Sequence, residues 1–134
     1  MVGGMVSRHI STVIRASRDA VYDFARDPAN LPRWAAGLAQ GEVERADDGG
    51  LVVDSPMGRV AVAFVPHNAY GVLDHDVTLP SGEVVTNPAR VLVHPEGAEV
   101  VFTLRQGTAS DEELEHDATL VAADLARLKA LLEH

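Results

Sequence analysis

A histidine stands between two aspartates in the apolar stretch LDHDVTL, which begins at Leu73. Imidazole and carboxylate groups bind metal ions and transfer protons, so this triplet is the first candidate for chemistry. In a β-strand, however, successive side chains point to opposite faces. Asp74 and Asp76 therefore share one face and His75 the other, and the three groups do not converge on one ion. His75 shares its face with Leu73 and Val77, which predicts that the imidazole points inward.

An inward His75 is open to three interpretations. It is a hydrogen-bonded core residue, a polar anchor for a ligand, or a general acid or base whose titration near neutral pH suits proton transfer. The flanking aspartates are most simply solvated charges, because two carboxylates supply too few oxygen ligands for a hard cation. The residues themselves leave the role of His75 open.

Other catalytic and metal-binding patterns are missing from the sequence. The chain has no cysteine, which excludes thiol catalysis and cysteine-ligated metals. No H-x-x-x-H or H-E-x-x-H spacing occurs, and there is no G-x-S-x-G, P-loop or dinucleotide-binding pattern. We therefore predict neither a metal nor a cofactor. The other histidines before the C-terminal residue are dispersed at His9, His67, His94 and His116.

Two carboxylates near the end of the chain are secondary candidates. Asp117 and Asp124 are seven residues apart, which places them on one side of a helix at the border of its apolar stripe. Asp124 is either a solvated border residue or a partly buried carboxylate with a raised pKa. The spacing alone does not distinguish the two.

Composition and charge narrow the class of function. The 134 residues carry a formal net charge of −9, and the 11 Lys and Arg residues are scattered. No basic stripe is present, so a nucleic-acid partner is not expected. No apolar run approaches the roughly 18–20 residues that span a bilayer, and no signal peptide is visible. We expect a cytoplasmic protein without membrane insertion, with one domain at residues 6–133 after a flexible N-terminus at residues 1–5.

The first third of the chain reads as a strand followed by two helices. Residues 6–15 alternate like a strand, and Ser17 is suited to cap the helix that follows. The segment ANLPRWAAGL predicts a second short helix with Pro32 in its first turn. Its Trp34 either packs this helix onto a sheet or lines the mouth of a pocket.

The middle of the chain, residues 40–106, alternates in short runs separated by the turn signals DDGG, SPMG, PHNAYG, PSG and PEGA. Five turns connect six strands, and such short connections make neighbouring strands antiparallel. Pro88 interrupts the fifth strand and indicates a bulge or an edge. The pair Ser110 and Glu113 then fits a capping box that begins a long amphipathic helix.

These elements predict an α+β fold in the order β-αα-ββββββ-α, with a curved seven-stranded antiparallel sheet wrapped on the C-terminal helix. The helix buries its apolar stripe against the inner face of the sheet. A twisted sheet can touch the helix at its ends and leave space in the middle. A partly unfilled interior and a filled core of Val and Leu are both consistent with the composition.

The stretches STVIRASRDAVYDFARDPANLPRW (residues 11–34) and SDEELEHDATLVAADLARLKALLE (residues 110–133), with the element order, resemble the START-like or SRPBCC superfamily. This group includes polyketide cyclases, dehydrases and lipid transport proteins with the Bet v 1-like helix-grip fold. The resemblance implies an apolar cavity between sheet and C-terminal helix. The candidates for its wall are Trp34, Val62, Phe64, Leu73, His75, Val77, Val91, Phe102, Val121 and Leu125.

Three functions are compatible with this fold. The first is binding of a small hydrophobic or aromatic ligand in the cavity. The second is an enzyme resembling polyketide cyclases or dehydratases with His75 as the catalytic acid or base, although the dense cluster of inward polar residues that would orient a polyketide is missing. The third is a protein-interaction module without a ligand. Strand edges in the middle segment could also pair with those of a second copy of the chain and form a homodimer.

Overall fold

Eight strands and three helices follow one another in the computed structural model, which describes residues 6–36 and 38–133. The predicted flexible N-terminus, residues 1–5, lies outside the described residues. In chain order the elements are β1 (Ser7–Ile14), α1 (Arg18–Arg26), a 3₁₀ turn (Pro28–Asn30), α2 (Leu31–Trp34), β2 (Gln40–Arg45), β3 (Leu51–Ser55), β4 (Gly58–Phe64), β5 (His75–Thr78), β6 (Val84–Asn87), β7 (Ala89–His94), β8 (Gly97–Arg105) and α3 (Asp111–Leu132).

The strands form two antiparallel sheets. One has three strands in the order β1-β8-β7, and the other has five in the order β2-β3-β4-β5-β6. The α+β class and the antiparallel pairing are confirmed. The predicted single sheet of seven strands is instead eight strands divided between two sheets.

Pro88 accounts for the extra strand. Proline has no backbone N–H to donate to a ladder, so the fifth predicted strand breaks there. The residues before it pair with β5 in the five-stranded sheet, and those after it pair with β8 in the three-stranded sheet. The Pro88 carbonyl still accepts a hydrogen bond from the Thr103 amide at 2.9 Å. The chain therefore changes sheets at Pro88.

Both predicted helix caps are present. The Ser17 hydroxyl accepts from the Ala20 amide at 3.1 Å and begins α1. At the start of α3 the Ser110 hydroxyl accepts from the Glu113 amide at 3.1 Å, and the Glu113 carboxylate accepts from the Ser110 amide at 3.0 Å. These bonds satisfy amide groups that a helix start would otherwise leave without partners.

The second helix is shorter than predicted. It ends at Trp34 and does not continue to Leu38. The Leu38 amide donates to the Ala35 carbonyl, three residues back. The Trp34 carbonyl, which a continuing helix would use, accepts from the Arg127 side chain at 3.2 Å. A tertiary contact with α3 thus replaces the next turn of the helix.

The long helix packs mainly on the three-stranded sheet. The helix α3 contacts β1 and β8 extensively, and it contacts the strands of the five-stranded sheet much less. The Lys129 ammonium donates to the Val13 carbonyl at 2.6 Å and fixes one end of α3 against β1. The buried apolar positions of α3 are Leu114, Ala118, Leu125 and Leu128, at the spacing expected of one face of an amphipathic helix. Among the described residues, none of the helices has the length and apolarity that crossing a bilayer requires.

Candidate functional site

A cavity of about 240 Å³ lies between α3 and the inner faces of the two sheets. Residues of β5 and β6 line it on one side, and residues of β7 and β8 on another. The first two helices contribute Ala25, Leu31 and Trp34, and α3 contributes Val121 and Leu125. Most of the wall is aliphatic or aromatic. The interior is therefore partly unfilled, which composition alone left undecided.

The wall includes eight of the ten residues predicted for it, namely Trp34, Phe64, Leu73, His75, Val77, Phe102, Val121 and Leu125. The other two, Val62 and Val91, are 1% and 0% exposed and belong to the filled core. Val62 shares a strand face with Phe64, and Val91 shares one with Ala89, because alternate residues point the same way. The cavity reaches Phe64 and Ala89 but stops before the next inward residue on each strand.

His75 is buried in the wall with a fixed tautomer. Its side chain is 6% exposed, and Nδ1 lies 2.9 Å from the Leu73 carbonyl oxygen. A carbonyl only accepts hydrogen bonds, so Nδ1 carries the proton and donates. Burial lowers the pKa of His75, against smaller opposing contributions from the Leu73 hydrogen bond and from Asp74 and Asp76. The imidazole is therefore neutral near pH 7, with its lone pair at Nε2.

The acceptor atom of His75, Nε2, is not used by the part of the chain that the structure describes. Within residues 6–36 and 38–133, no group donates a hydrogen bond to Nε2. The rings beside the imidazole are those of Phe64, with a centroid 4.9 Å away, and of Phe102, 5.7 Å away and nearly edge-on. The protein has six aromatic side chains, and three of them, Trp34, Phe64 and Phe102, lie in this wall. The site combines aromatic surface with one unused acceptor.

Asn87 is a site residue that sequence reasoning missed. It lies directly opposite His75 in the β5–β6 pairing and lines the same cavity, and Phe64 lies opposite His75 on the other side. These three residues form a row across three strands. The row depends on the register of two strand pairs, and Pro88, the next residue in the sequence, obscured the strand to which Asn87 belongs.

The aspartates on either side of His75 point away from the cavity, as alternation predicted. Asp76 accepts from the Thr86 hydroxyl at 2.5 Å and is exposed. Asp74 is not simply solvated, because its side chain is only 26% exposed. It accepts from the Ala89 amide at 2.9 Å and forms an ion pair with Arg90. Asp74 therefore links the start of β5 to β7.

The helical side of the cavity carries two carboxylates. Asp124 is 8% exposed and pairs with Arg127, whose Nε also donates to the Trp34 carbonyl. Asp117 lies nearer the surface, and burial, with a smaller contribution from Glu113, raises its pKa although His116 opposes the change. The border position predicted for both residues brings them to the cavity wall.

The cavity opens to solvent between the β3–β4 turn, β6 and the first half of α3. Its exposed rim includes Met57, Val85 and Leu120, which are 53%, 37% and 39% exposed. Arg105 and Asp117 are the exposed charged residues of the lining. An apolar molecule would therefore meet mainly apolar side chains at the opening.

Three further polar residues, Tyr22, Tyr70 and Arg59, do not line the cavity. The Tyr22 hydroxyl accepts from the Asn68 amide at 3.0 Å, Tyr70 is 78% exposed, and Arg59 forms ion pairs with Asp54 and Glu44. Among the described residues, no three His, Asp or Glu side chains are grouped so that they could hold a metal ion. The chemistry available at the site is therefore that of the cavity wall.

Solved structures share this fold at low sequence identity. The Aha1 dimer from Colwellia psychrerythraea superposes with a TM-score of 0.78 at 16% identity, over 96% of this chain and 97% of that one. XoxI from Bacillus cereus gives a TM-score of 0.74 at 15% identity, over 96% of each chain. No known family profile matches the chain, and no curated protein matches it in sequence.

A third similar structure comes from a biosynthetic locus. DynU16, a protein in the dynemicin biosynthetic locus, gives a TM-score of 0.74 at 13% identity, and 94% of this chain covers 46% of it. Identities this low show a shared fold alone. An α+β fold in which sheets surround a long C-terminal helix is therefore what this protein has in common with structures of known coordinates.

Proposed function

We propose that this protein is a START-like, helix-grip domain that binds a small hydrophobic or aromatic molecule in its internal cavity. The cavity itself is the observation that carries the proposal. Binding sites for small molecules are typically apolar concavities with a few polar groups that fix orientation. This cavity has that character, since Trp34, Phe64 and Phe102 supply aromatic surface and His75 supplies a hydrogen-bond acceptor.

The volume of the cavity limits the size of the ligand. Drug-sized ligands occupy pockets of roughly 300–1,000 Å³, and an engineered apolar cavity of about 150 Å³ binds benzene. A space of about 240 Å³ lies between these cases. It suits a molecule with one substituted ring, or an aliphatic molecule of similar size, better than a long-chain lipid or a large polyketide.

An enzyme resembling polyketide cyclases is the second candidate, with His75 moving a proton. A neutral imidazole with an unused Nε2 can accept one, and DynU16 belongs to a biosynthetic locus. The lowered pKa of His75 makes it a weaker base than a free imidazole, however. The geometry therefore supports binding better than proton transfer.

Titration with toluene tests the binding proposal. We expect a dissociation constant of about 0.1–1 mM, within the range that a seven-atom apolar ligand can reach. Calorimetry measures the affinity, and the fluorescence of Trp34, the one tryptophan of the chain, reports on the cavity wall directly. Val77→Phe places a ring in the cavity and should abolish binding.

Val84→Phe is the matched control for that variant. Val84 lies on β6 beside the β5 strand of Val77, but it is 55% exposed and does not line the cavity. The control should bind toluene like the unmodified protein. Absence of any response to toluene in the unmodified protein, or equal binding by the two variants, would contradict the proposal.

The remaining expectations on partners and location also stay proposals. A second copy of the chain is a candidate partner, supported by the dimeric state named for the Aha1 structure. Sedimentation velocity at two protein concentrations decides between monomer and dimer. A cytoplasmic location and the absence of a nucleic-acid partner rest on the sequence arguments alone.

A further inference from the structure

The cavity wall contains two adjacent polar side chains with hydrogen-bonding atoms that the described part of the chain leaves unused. His75 and Asn87 lie directly opposite each other on β5 and β6, and both line the cavity. Directly opposed residues of an antiparallel pair have Cβ atoms about 4.5–5.5 Å apart. Within the described residues, neither His75 Nε2 nor the side-chain amide of Asn87 has a hydrogen-bond partner. Polar atoms that face a cavity without a protein partner are available to hydrogen-bond with a ligand or with water.

The two side chains offer complementary hydrogen bonds. The Nδ1–H of His75 is used by the Leu73 carbonyl, so Nε2 only accepts. The Asn87 amide carries an N–H₂ group that donates and a carbonyl that accepts. A hydroxyl group both donates one hydrogen bond and accepts others. It is the simplest ligand group that satisfies His75 and Asn87 together.

We propose, on the basis of the function proposed above, that the cavity selects a neutral one-ring aromatic molecule with a hydroxyl group, that is, a phenol. The O–H of the phenol donates to His75 Nε2, and the phenol oxygen accepts from the side-chain N–H₂ group of Asn87. The ring lies against the aromatic part of the wall formed by Trp34, Phe64 and Phe102. Phenolic O–H groups are stronger donors than those of aliphatic alcohols, which favours the aromatic member of the class.

The charges around the cavity favour a neutral ligand. Asp117 places a carboxylate on the helical side of the wall, where it would repel an anionic ligand such as a benzoate, whereas the charge of Asp124 is already paired with Arg127. Arg105, the cationic residue among the described residues of the lining, is exposed at the end of β8. A carboxylate ligand also has no proton to donate to His75 Nε2. An ammonium ligand would lose its hydration in an apolar cavity.

Three probes of similar size, tested on the unmodified protein, separate the effect of apolar contact from the effects of accepting and of donating a hydrogen bond. Toluene has no polar group, anisole has an oxygen that only accepts, and phenol both accepts and donates. We expect phenol to bind about fivefold to tenfold more tightly than either of the others, as one or two net hydrogen bonds supply. Phenol is less hydrophobic than toluene, so an apolar cavity without the polar pair would give the opposite order.

Two substitutions locate the selectivity. His75→Leu removes the acceptor but keeps an apolar side chain, and it should weaken phenol binding about tenfold while leaving toluene binding unchanged or tighter. Asn87→Leu should also weaken phenol binding, but by a smaller factor than His75→Leu. Thr86→Leu is the control, because Thr86 is the neighbour of Asn87 on β6 and does not line the cavity. It should change neither affinity.

The possible results distinguish this inference from the function on which it rests. Tighter binding of toluene than of phenol, with a ratio unchanged in His75→Leu, would overturn the inference and leave the binding function standing. Absence of binding by all three probes would overturn both. If His75→Leu does not fold, as judged by its thermal melt, the comparison of phenol with anisole on the unmodified protein still decides the question.

Discussion

The two sheets of this protein have opposite relations to the long helix. The three-stranded sheet packs directly against α3, and the Lys129 ammonium ties the helix to β1 through the Val13 carbonyl. The five-stranded sheet faces α3 mainly across the cavity, with His75 and Val77 on its inner surface. Both sheets therefore contribute to the cavity wall, but the three-stranded sheet also anchors the helix. The difference shows how one domain combines a stable core with unfilled volume.

The junction between the sheets lies close to the candidate site. Pro88 separates β6 from β7, so Asn87 belongs to one sheet and Ala89 to the other, although both line the cavity. Asp74 spans this junction through its bonds to the Ala89 amide and to Arg90. The position of the polar pair therefore depends on how the two sheets meet. Three predictions test this comparison.

The largest effect is expected from matched valine truncations in the two sheets. Val91→Ala in β7 removes two methyl groups from a fully packed position and should lower the free energy of unfolding by about 2.5 kcal/mol. Val77→Ala in β5 should cost about 1.5 kcal/mol, because its methyl groups already face the cavity on one side and have fewer contacts to lose. Urea unfolding measures both. Equal losses would contradict the difference in packing between the sheets.

A smaller effect is expected at the junction. Asp74→Ala leaves the Ala89 amide and Arg90 without their acceptor and should destabilise the fold by about 1.5 kcal/mol. Asp76→Ala is the control on the same strand, and the loss of one exposed hydrogen bond should cost about 0.5 kcal/mol or less. Thermal melts compare the two variants. A reversed order would mean that Asp74 does not hold the sheets together.

The smallest effect is expected in the pH dependence of stability. The pKa of His75 is lowered by burial from its unfolded value of 6.5. Below that pH the unfolded state binds a proton that the folded state excludes, so stability falls as the pH drops from 6.5 towards the folded pKa. His75→Gln should remove this part of the slope. Urea unfolding between pH 7.5 and 5.5 measures it, and an unchanged slope would show that His75 protonates equally in both states.

The pH range is chosen to separate His75 from the carboxylates. The pKa values of Glu113 and Glu133 are lowered by hydrogen bonds from about 4.5, so their effects belong to more acidic solution. Burial raises the pKa of Asp117 from 3.8, and its contribution has the opposite sign, because the folded state binds the proton more readily. The variant and the unmodified protein share these groups, so their difference isolates His75.

Local patterns predicted much of the fold. Alternation placed His75 inward and the two aspartates outward, and the capping pairs at Ser17 and Ser110 marked helix starts that the structure contains. These features follow from bonds and periodicities within a few residues, so the sequence carries them directly. The helical spacing of α3 likewise predicted its buried stripe.

Features that depend on distant contacts were predicted less well. The second helix ends at Trp34, whose carbonyl accepts from Arg127 on α3, while the Leu38 amide donates to Ala35 instead. Val62 and Val91 were predicted to line the cavity, yet they pack in the core, because the limits of the cavity depend on how elements distant in the sequence pack on each sheet. No local pattern specifies that position.

Periodicity and capping act over short distances along the chain, so the amino-acid sequence was enough to predict the α+β class, the antiparallel pairing, the long capped helix and the inward direction of His75. The division of the strands into two sheets at Pro88, the partly empty interior and the position of Asn87 beside His75 became visible only in the folded chain. Register between strands and the fit of a helix against a sheet are sums over many weak contacts between distant residues. A side chain's neighbours across a cavity are therefore set only when the whole chain has folded.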